Sequence, residues 1–335
     1  MTKPSAAEPR PVRCALVGLG QIGATHLEAM QLGGAELVAV ADPREAARVA
    51  AQAKGLSTFA DPLDPALAGL VDAVVLATPP STHHELACHF LERGVAVLCE
   101  KPLAPSASEA RSMLQLAHGR GVELMMASKF RYVSDVVEAR WLIESGSIGD
   151  PLLFENSFSG RVAMQGRWNA DRAVSGGGVL IDNGTHSVDV ARFLLGPLRE
   201  VSAVFGPSLQ GLEVEDTARL SFRTDGGACG TIDLTWSLQK ESDWYVSVYG
   251  RAGTLQLGWK GSRYKRDGGS GWVAFGEGYD KLRSLRAQFA NCVGVVRGLE
   301  RPRITGADAL ASVEAIEAAY ASAAETRWRR VGQPA

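Results

Sequence analysis

Residues 12–17 form a short apolar run that ends in a glycine turn, and residues 24–32 then switch to the three-to-four-residue apolar spacing of a helix. The alternation continues. Apolar runs at 36–41, 72–78, 95–99 and 122–128 read as buried strands. Residues 82–93, behind Pro79 and Pro80, read as an amphipathic helix, and so do residues 106–119, with Ser106 or Ser108 placed to cap and Glu109 soon after. Repeated strand–helix alternation implies a parallel, doubly wound sheet whose ligands bind beyond the carboxyl ends of its strands. After Pro151 the texture changes. Runs at 152–158, 201–205, 217–222, 228–236, 244–249 and 254–257 follow one another, several alternating apolar with polar, with turn chemistry at 224–227 and 250–253. Helical patterns at 182–195, 281–297 and 308–326 interrupt them, and the last is spaced to pack back on the first domain or under the sheet.

The predicted fold class is therefore α/β followed by α+β: a doubly wound parallel sheet, then an open-faced, mostly antiparallel sheet with flanking helices. The expected division is a disordered lead-in over 1–11, a nucleotide domain over 12–130, and a substrate-binding and oligomerisation domain over 131–330. A length of 335 residues suits two domains. A broad sheet with one under-covered face predicts a homodimer or homotetramer formed through it. The net charge of −2 offers no attraction to nucleic acid or an anionic membrane, so neither is expected as a partner. Five scattered cysteines without a C-x-x-C pair point to a reducing compartment, and no apolar run suits a signal peptide or a membrane span. A cytoplasmic protein is the expectation.

Chemistry enters with Gly18-Leu19-Gly20-Gln21-Ile22-Gly23, set between a predicted strand and helix, with Asp42 at the end of the next strand. Gly18 permits the tight turn, Gly20 admits a pyrophosphate close to the backbone, and Gly23 lets helix and strand pack closely. Gln21 and Ile22 open the helix, whose N-terminus offers free N–H groups and a positive dipole end to phosphate. Asp42 can accept from both ribose hydroxyls and would repel a 2′-phosphate, which favours NAD, whereas Arg44 leaves NADP open. Thr78 with Pro79, and Glu100 with Lys101, stand at further strand ends, so Lys101 points to where a nicotinamide would lie. His83 could cap its helix or touch the dinucleotide. His84-Glu85-Leu86-Ala87-Cys88-His89 lacks the second histidine of a zinc-protease helix at position 88, and no metal is expected.

The glycines 176–178 precede Asp182 and His186, which on a helix stand at i and i+4 on one face. A carboxylate beside an imidazole fixes its tautomer and suits it to general-base work, although such a pair is more commonly a structural contact. Asp189 is expected to pair with Arg192 at i+3 rather than to join a metal site with Asp182 and His186.

Four segments stand in order: residues 15–23 with His26; Ala77-Thr78-Pro79-Pro80 with His83; Glu100-Lys101-Pro102; and Gly176-Gly177-Gly178 with Asp182, His186 and Asp189. Together they resemble the glucose–fructose oxidoreductase and inositol 2-dehydrogenase family (Gfo/Idh/MocA), from about residue 12 to the C-terminal helix. The resemblance implies a Rossmann domain, an open-faced second sheet, a nicotinamide between them, a cis Lys101–Pro102 peptide, and Lys101, Asp182 and His186 meeting at the reacting carbon. Pro80 departs from the asparagine of many relatives, and Lys129-Phe130-Arg131-Tyr132 matches no substrate class.

The chemistry so implied is reversible oxidation of a secondary alcohol on a sugar, sugar derivative or cyclitol. His186 would take the hydroxyl proton, Lys101 as an ammonium would hold the same oxygen and lower the basicity of His186, and Asp182 would orient the imidazole. Arg131, Trp168, Asn169, Arg172 and Tyr245, beside these segments, are the candidate substrate contacts. Trp236, Trp244, Trp259 and Trp272 could line sugar subsites or serve the core. The alternatives are an NAD-dependent glycoside hydrolase acting by transient oxidation, and a non-catalytic nucleotide sensor. Sensors tend to lose the lysine or the histidine, and both are present.

Overall fold

The computed structural model describes residues 10–31 and 34–333. Most of the predicted lead-in (residues 1–9) and the last residue of the predicted first helix, Leu32, lie outside them. The first unit holds β1 (Arg13–Val17), α1 (Gln21–Gln31), β2 (Glu36–Ala41), α2 (Glu45–Gln52), β3 (Ser57–Phe59), α3 (Pro65–Leu70), β4 (Ala73–Leu76), α4 (His83–Glu92), β5 (Ala96–Glu100), α5 (Ala107–Arg120) and β6 (Leu124–Ala127). Its strands are all parallel, in the order β3-β2-β1-β4-β5-β6. The order reverses between β1 and β4, and a crevice opens at the carboxyl ends of those two strands. β4, β5 and β6 are buried at every position, which is why they read as unbroken apolar runs. Ser106 caps α5 by accepting from the Glu109 N–H, and Gly121 closes the helix in the left-handed region. The sequence reading passed over α2, β3 and α3. α2 is only eight residues long and buries just Ala51, and β3 has only three residues.

The second unit comprises α6 (Ser134–Glu144), β7 (Pro151–Ser159), α7 (Arg172–Ser175), α8 (Val179–Leu195), β8 (Leu198–Phe205), β9 (Thr217–Thr224), β10 (Cys229–Thr235), β11 (Trp244–Gly250), β12 (Gly253–Gly258), β13 (Ser262–Arg266), β14 (Val273–Phe275), α9 (Lys281–Val296), α10 (Gly306–Glu325) and β15 (Arg329–Arg330). Nine strands lie in the order β14-β13-β12-β11-β7-β10-β9-β8-β15, antiparallel except where β10 pairs with β7. Alternation is clean on β9: Ala218, Leu220 and Phe222 face inward while Arg219 and Arg223 face out. Phe222 packs on Phe154 of β7, and each such buried ring is worth roughly 1.5–3 kcal/mol over an exposed one. α8 and α10 cover the inner face. α10 packs on β8 and also reaches α5, where Arg111 pairs with Glu314. α9 crosses back to lie on α1.

Glycine begins α8, so no N-cap side chain is available. Glu215, from a distant loop, supplies the missing acceptor: its Oε1 takes the N–H groups of Gly178 (3.0 Å) and Leu180 (3.1 Å) and the hydroxyl of Tyr320 on α10 (2.7 Å). A Cβ on Gly178 would overlap the Glu215 backbone, so glycine is required for this approach. The start of α8, and with it the placement of Asp182 and His186, is fixed from outside the helix.

Candidate active site

A cavity of about 960 Å³ runs from the carboxyl ends of β1 and β2, past β4 and β5, to the inner end of the second sheet. Its first part is a nucleotide cradle. Gly18 has φ +92°, and a Cβ there would overlap the Ala77 carbonyl, so only glycine lets the β1–α1 turn lie against the end of β4. A Cβ on Gly20 would meet nothing, which leaves open room for a phosphate before the first turn of α1. Gly20, Gln21, Ile22, Thr78 and Pro79 line this stretch. Gly23 does not. A Cβ there would overlap the Gly18 carbonyl, so its part is helix–strand packing.

Asp42 is buried at the end of β2 and accepts from the Leu19 N–H (2.8 Å) and from the backbone and guanidinium of Arg44 (2.8–2.9 Å). Burial would raise its carboxyl, but these hydrogen bonds outweigh burial and hold it below the usual carboxylate range. The residues present thus fit a dinucleotide: an open glycine turn, a helix N-terminus, and an ionised carboxylate where a ribose would sit.

Deeper in, Glu100 is the hub of the β5 end. It bonds His26 of α1 (2.7 Å) and accepts the Lys101 N–H (3.2 Å). Burial would raise the Glu100 carboxyl, yet His26, Lys129 and Lys101 bring it down to about 2. The Lys101–Pro102 peptide is cis. His83 is a correction. It is fully buried, off the cavity, with Nδ1 2.9 Å from the Pro102 carbonyl and Nε2 2.9 Å from the Thr78 carbonyl. It braces the two strand-end loops against each other and does not face the dinucleotide, and burial holds it below the usual histidine range.

Lys101, Asp182 and His186 all line the cavity, but their pairing differs from expectation. The Asp182 side chain turns to the Lys101 ammonium, which also donates to the Asp182 carbonyl at 2.9 Å. The carboxylate therefore orients the lysine rather than the imidazole, because an opposite charge at contact outcompetes a neutral ring one helical turn away. The side chain that reaches His186 is Lys129, with Nζ 3.0 Å from Nε2. Nδ1 is buried without a partner among the described residues, and Phe130 packs edge-on at 5.2 Å. Burial first, then the cations of Lys129 and Lys101, hold His186 well below the usual histidine range, so it is neutral at working pH. Lys129 is pushed down to about 8, by burial and then by Lys101 and Lys281, against the opposing pull of Glu100 and Asp182.

Sequence reasoning missed Lys129. It stands just past β6, and the strand-end rule that pointed to Thr78 and Lys101 would have found it. Its turn, Lys129–Tyr132, is clamped across α8: Ser128 donates to Asp189 at 2.5 Å, and Arg131 grips the same carboxylate at 2.6–3.0 Å. Asp189 therefore pairs with Arg131 rather than with Arg192, whose nearest carboxylate is Asp308 at 4.0 Å.

The substrate end is mixed. Trp168 and Asn169 line the cavity. Arg131 does not contact it: it is buried between Asp189 and Asp308, because a guanidinium out of water needs carboxylates on its fork. Tyr245 is 1% exposed, inside a ring cluster with Phe130, Phe158 and Trp259. Arg172 points outward to the Glu213 carbonyl. Of the four tryptophans, Trp236 and Trp259 line the cavity, while Trp244 and Trp272 sandwich Arg263 elsewhere. Tyr279 and Lys281, also missed, complete the wall. No helix of the described residues is long and apolar enough to cross a membrane.

Residues 12–128 match the oxidoreductase family with an NAD-binding Rossmann fold, and residues 136–256 match the GFO/IDH/MocA C-terminal domain. The chain is 30% identical over 314 residues to the rhizopine catabolism protein MocA of Rhizobium meliloti, covering 92% of this chain and 93% of that one. It is 30% identical over 258 residues to the NAD-dependent scyllo-inositol 2-dehydrogenase of Bacillus subtilis, covering 74% of each. Among solved structures, the WlbA dehydrogenase of Bordetella pertussis, in complex with NADH and UDP-GlcNAcA, superposes with a TM-score of 0.85 at 26% identity, over 97% of this chain and 99% of that one. The cofactor is NAD. With both halves matched and a relative aligned along nearly its whole length, the chain belongs to the Gfo/Idh/MocA family of oxidoreductases.

Proposed function

We propose that the protein interconverts a secondary alcohol and a ketone on a sugar, sugar derivative or cyclitol, with residues 12–130 holding the nucleotide and residues 131–330 the substrate. One observation carries the reading: a neutral, buried imidazole and a lysine ammonium stand together at the end of β5, in the same cavity as the nucleotide cradle. When bound, the nicotinamide supplies the hydride acceptor. His186 accepts the hydroxyl proton, and its neutrality keeps it competent to do so. Lys101, aimed by Asp182, stabilises the negative charge that develops on the oxygen. Trp168, Trp236 and Trp259 offer apolar faces to the C–H face of a ring, with Asn169 and Asn183 beside them for hydroxyls. The inositol dehydrogenase and the nucleotide-sugar-bound structure among the relatives support this substrate class.

The test is a panel of sugars, sugar acids, nucleotide sugars and cyclitols, each with NAD and NADP, read as absorbance of the reduced nucleotide. Steady NADH formation with at least one of them is expected, with NADP poorer because Asp42 opposes its 2′-phosphate. No turnover across the panel would overturn the reading.

Assembly as a homodimer or homotetramer is supported by the outer face of the second sheet, which no helix among the described residues covers and where Leu153 stands 51% exposed. Sedimentation of the protein should give a dimer or tetramer that Leu153→Arg shifts toward monomer; a monomeric parent would remove the proposal. The reducing cytoplasm is supported by five cysteines that are all free thiols.

A further inference from the structure

We propose that Lys129 and His186 act as a single proton-handling pair, in which the lysine amine decides whether the imidazole can take the substrate's hydroxyl proton. This rests on the alcohol–ketone reading above and deepens it.

Three observations place the pair. Lys129 Nζ lies 3.0 Å from His186 Nε2, the one hydrogen bond the ring makes among the described residues, since Nδ1 has no partner. Among the described residues no carboxylate hydrogen-bonds Lys129: Asp182 is engaged by Lys101, and Glu100, which acts on the amine only through its field, by His26 and the Lys101 N–H. The turn that carries Lys129 is held on α8 from both sides, by Ser128 and Arg131 on Asp189, three residues beyond His186. An amine with no carboxylate in hydrogen-bonding contact among the described residues, clamped against an imidazole that opens on the cavity, is placed for proton exchange rather than for support.

The charged groups around the amine are Glu100 and Lys101 from the end of β5, Asp182 and His186 from α8, and Lys281 from α9. Burial and the two lysines disfavour its charge, the two carboxylates favour it, and the balance falls at about 8. The protonated amine donates to Nε2 and occupies the lone pair the reaction needs. Once Lys129 is neutral, the lone pair is free. In oxidation the substrate O–H bond breaks and its proton bonds to Nε2, then passes to Lys129, which ends as the ammonium; the C–H electron pair leaves as hydride to the nicotinamide dinucleotide. Ketone reduction runs the same path backward and starts from the ammonium. The signs follow: oxidation gains as pH rises through about 8, and reduction loses over the same range.

Two measurements test this. In cofactor-free protein, the nitrogen NMR signals of the His186 ring should move with a midpoint near 8, as Lys129 loses its proton beside a ring that stays neutral, and that step should vanish in Lys129→Met. In turnover, wild-type kcat/KM for oxidation should rise about tenfold per pH unit below the midpoint and then level. Lys129→Met should lack that limb and lose on the order of 10²-fold in plateau rate. Lys129→Arg, whose charge does not titrate, should stay slow at every pH. A Lys129→Met enzyme that keeps both limb and rate, or an NMR step that survives the substitution, would overturn the pair. Lys129→Gln serves if the methionine variant does not fold. Absence of turnover in the wild type would instead strike the alcohol–ketone reading, while the NMR titration would still decide on the pair.

Discussion

Replacing His186 with alanine lowers turnover by about 10²- to 10⁴-fold, the usual worth of a positioned general base, while binding of NADH, followed by its fluorescence, remains close to that of the parent. The two readouts separate because His186 lies on α8, whereas the nucleotide cradle is built from β1, α1 and Asp42. Lys101→Met falls in the same class for a different reason. It removes the ammonium that meets developing charge, worth roughly 10²- to 10³-fold by analogy with an oxyanion-hole donor, and it leaves the Asp182 carboxylate without its partner. Because Asp182 aims the lysine and not the imidazole, Asp182→Asn should resemble the lysine variant rather than the histidine one. Near-normal turnover in either His186→Ala or Lys101→Met would dismiss the catalytic assignment.

Arg131→Met should cost about 3–5 kcal/mol of stability, read as a shift in urea unfolding. The residue was expected to touch substrate. Instead its guanidinium is 4% exposed against a fully buried Asp189 carboxylate, with Asp308 as a further partner. Removing the cation strands Asp189 in the core, and an unpaired buried charge costs far more than a lost surface pair. Arg131→Lys should rescue little, since one ammonium cannot reproduce the guanidinium contacts, Nε to both oxygens of Asp189 and a second nitrogen to Oδ1. A variant of normal stability with a raised KM would restore the substrate-contact reading.

The contrast between these two residues marks what was legible. His186 and Lys101 were singled out by local rules (a helical spacing, a strand end, an ordered set of short segments), and both line the cavity. The same strand-end rule, applied to β6, would have reached Lys129. Arg131 and Tyr245 were chosen only for being near such segments, and nothing local in their sequence says which way a side chain turns. Arg131 faces Asp189 because of how the turn after β6 lies across α8, and Tyr245 joins a ring cluster drawn from four separate segments. The Asp182–His186 spacing was correct as geometry and misleading as a bond, because a helical neighbour was weighed without the lysine that arrives from the other unit. The strands with clear alternation were located to within a few residues, whereas β13, β14 and β15, short and polar, carried no such pattern.

α9 has a consequence for how the chain comes off the ribosome. Phe289, Cys292, Val293 and Val295 close one apolar layer of the first sheet, packing with Cys14, Leu16, Met30 and Val75. The helix that seals the nucleotide unit is thus made more than two hundred residues after its first strand. Until it emerges, those four side chains cannot cover the layer, so the packing of the nucleotide unit is completed only after most of the second unit has been made. The half that binds NAD is translated first and finished last.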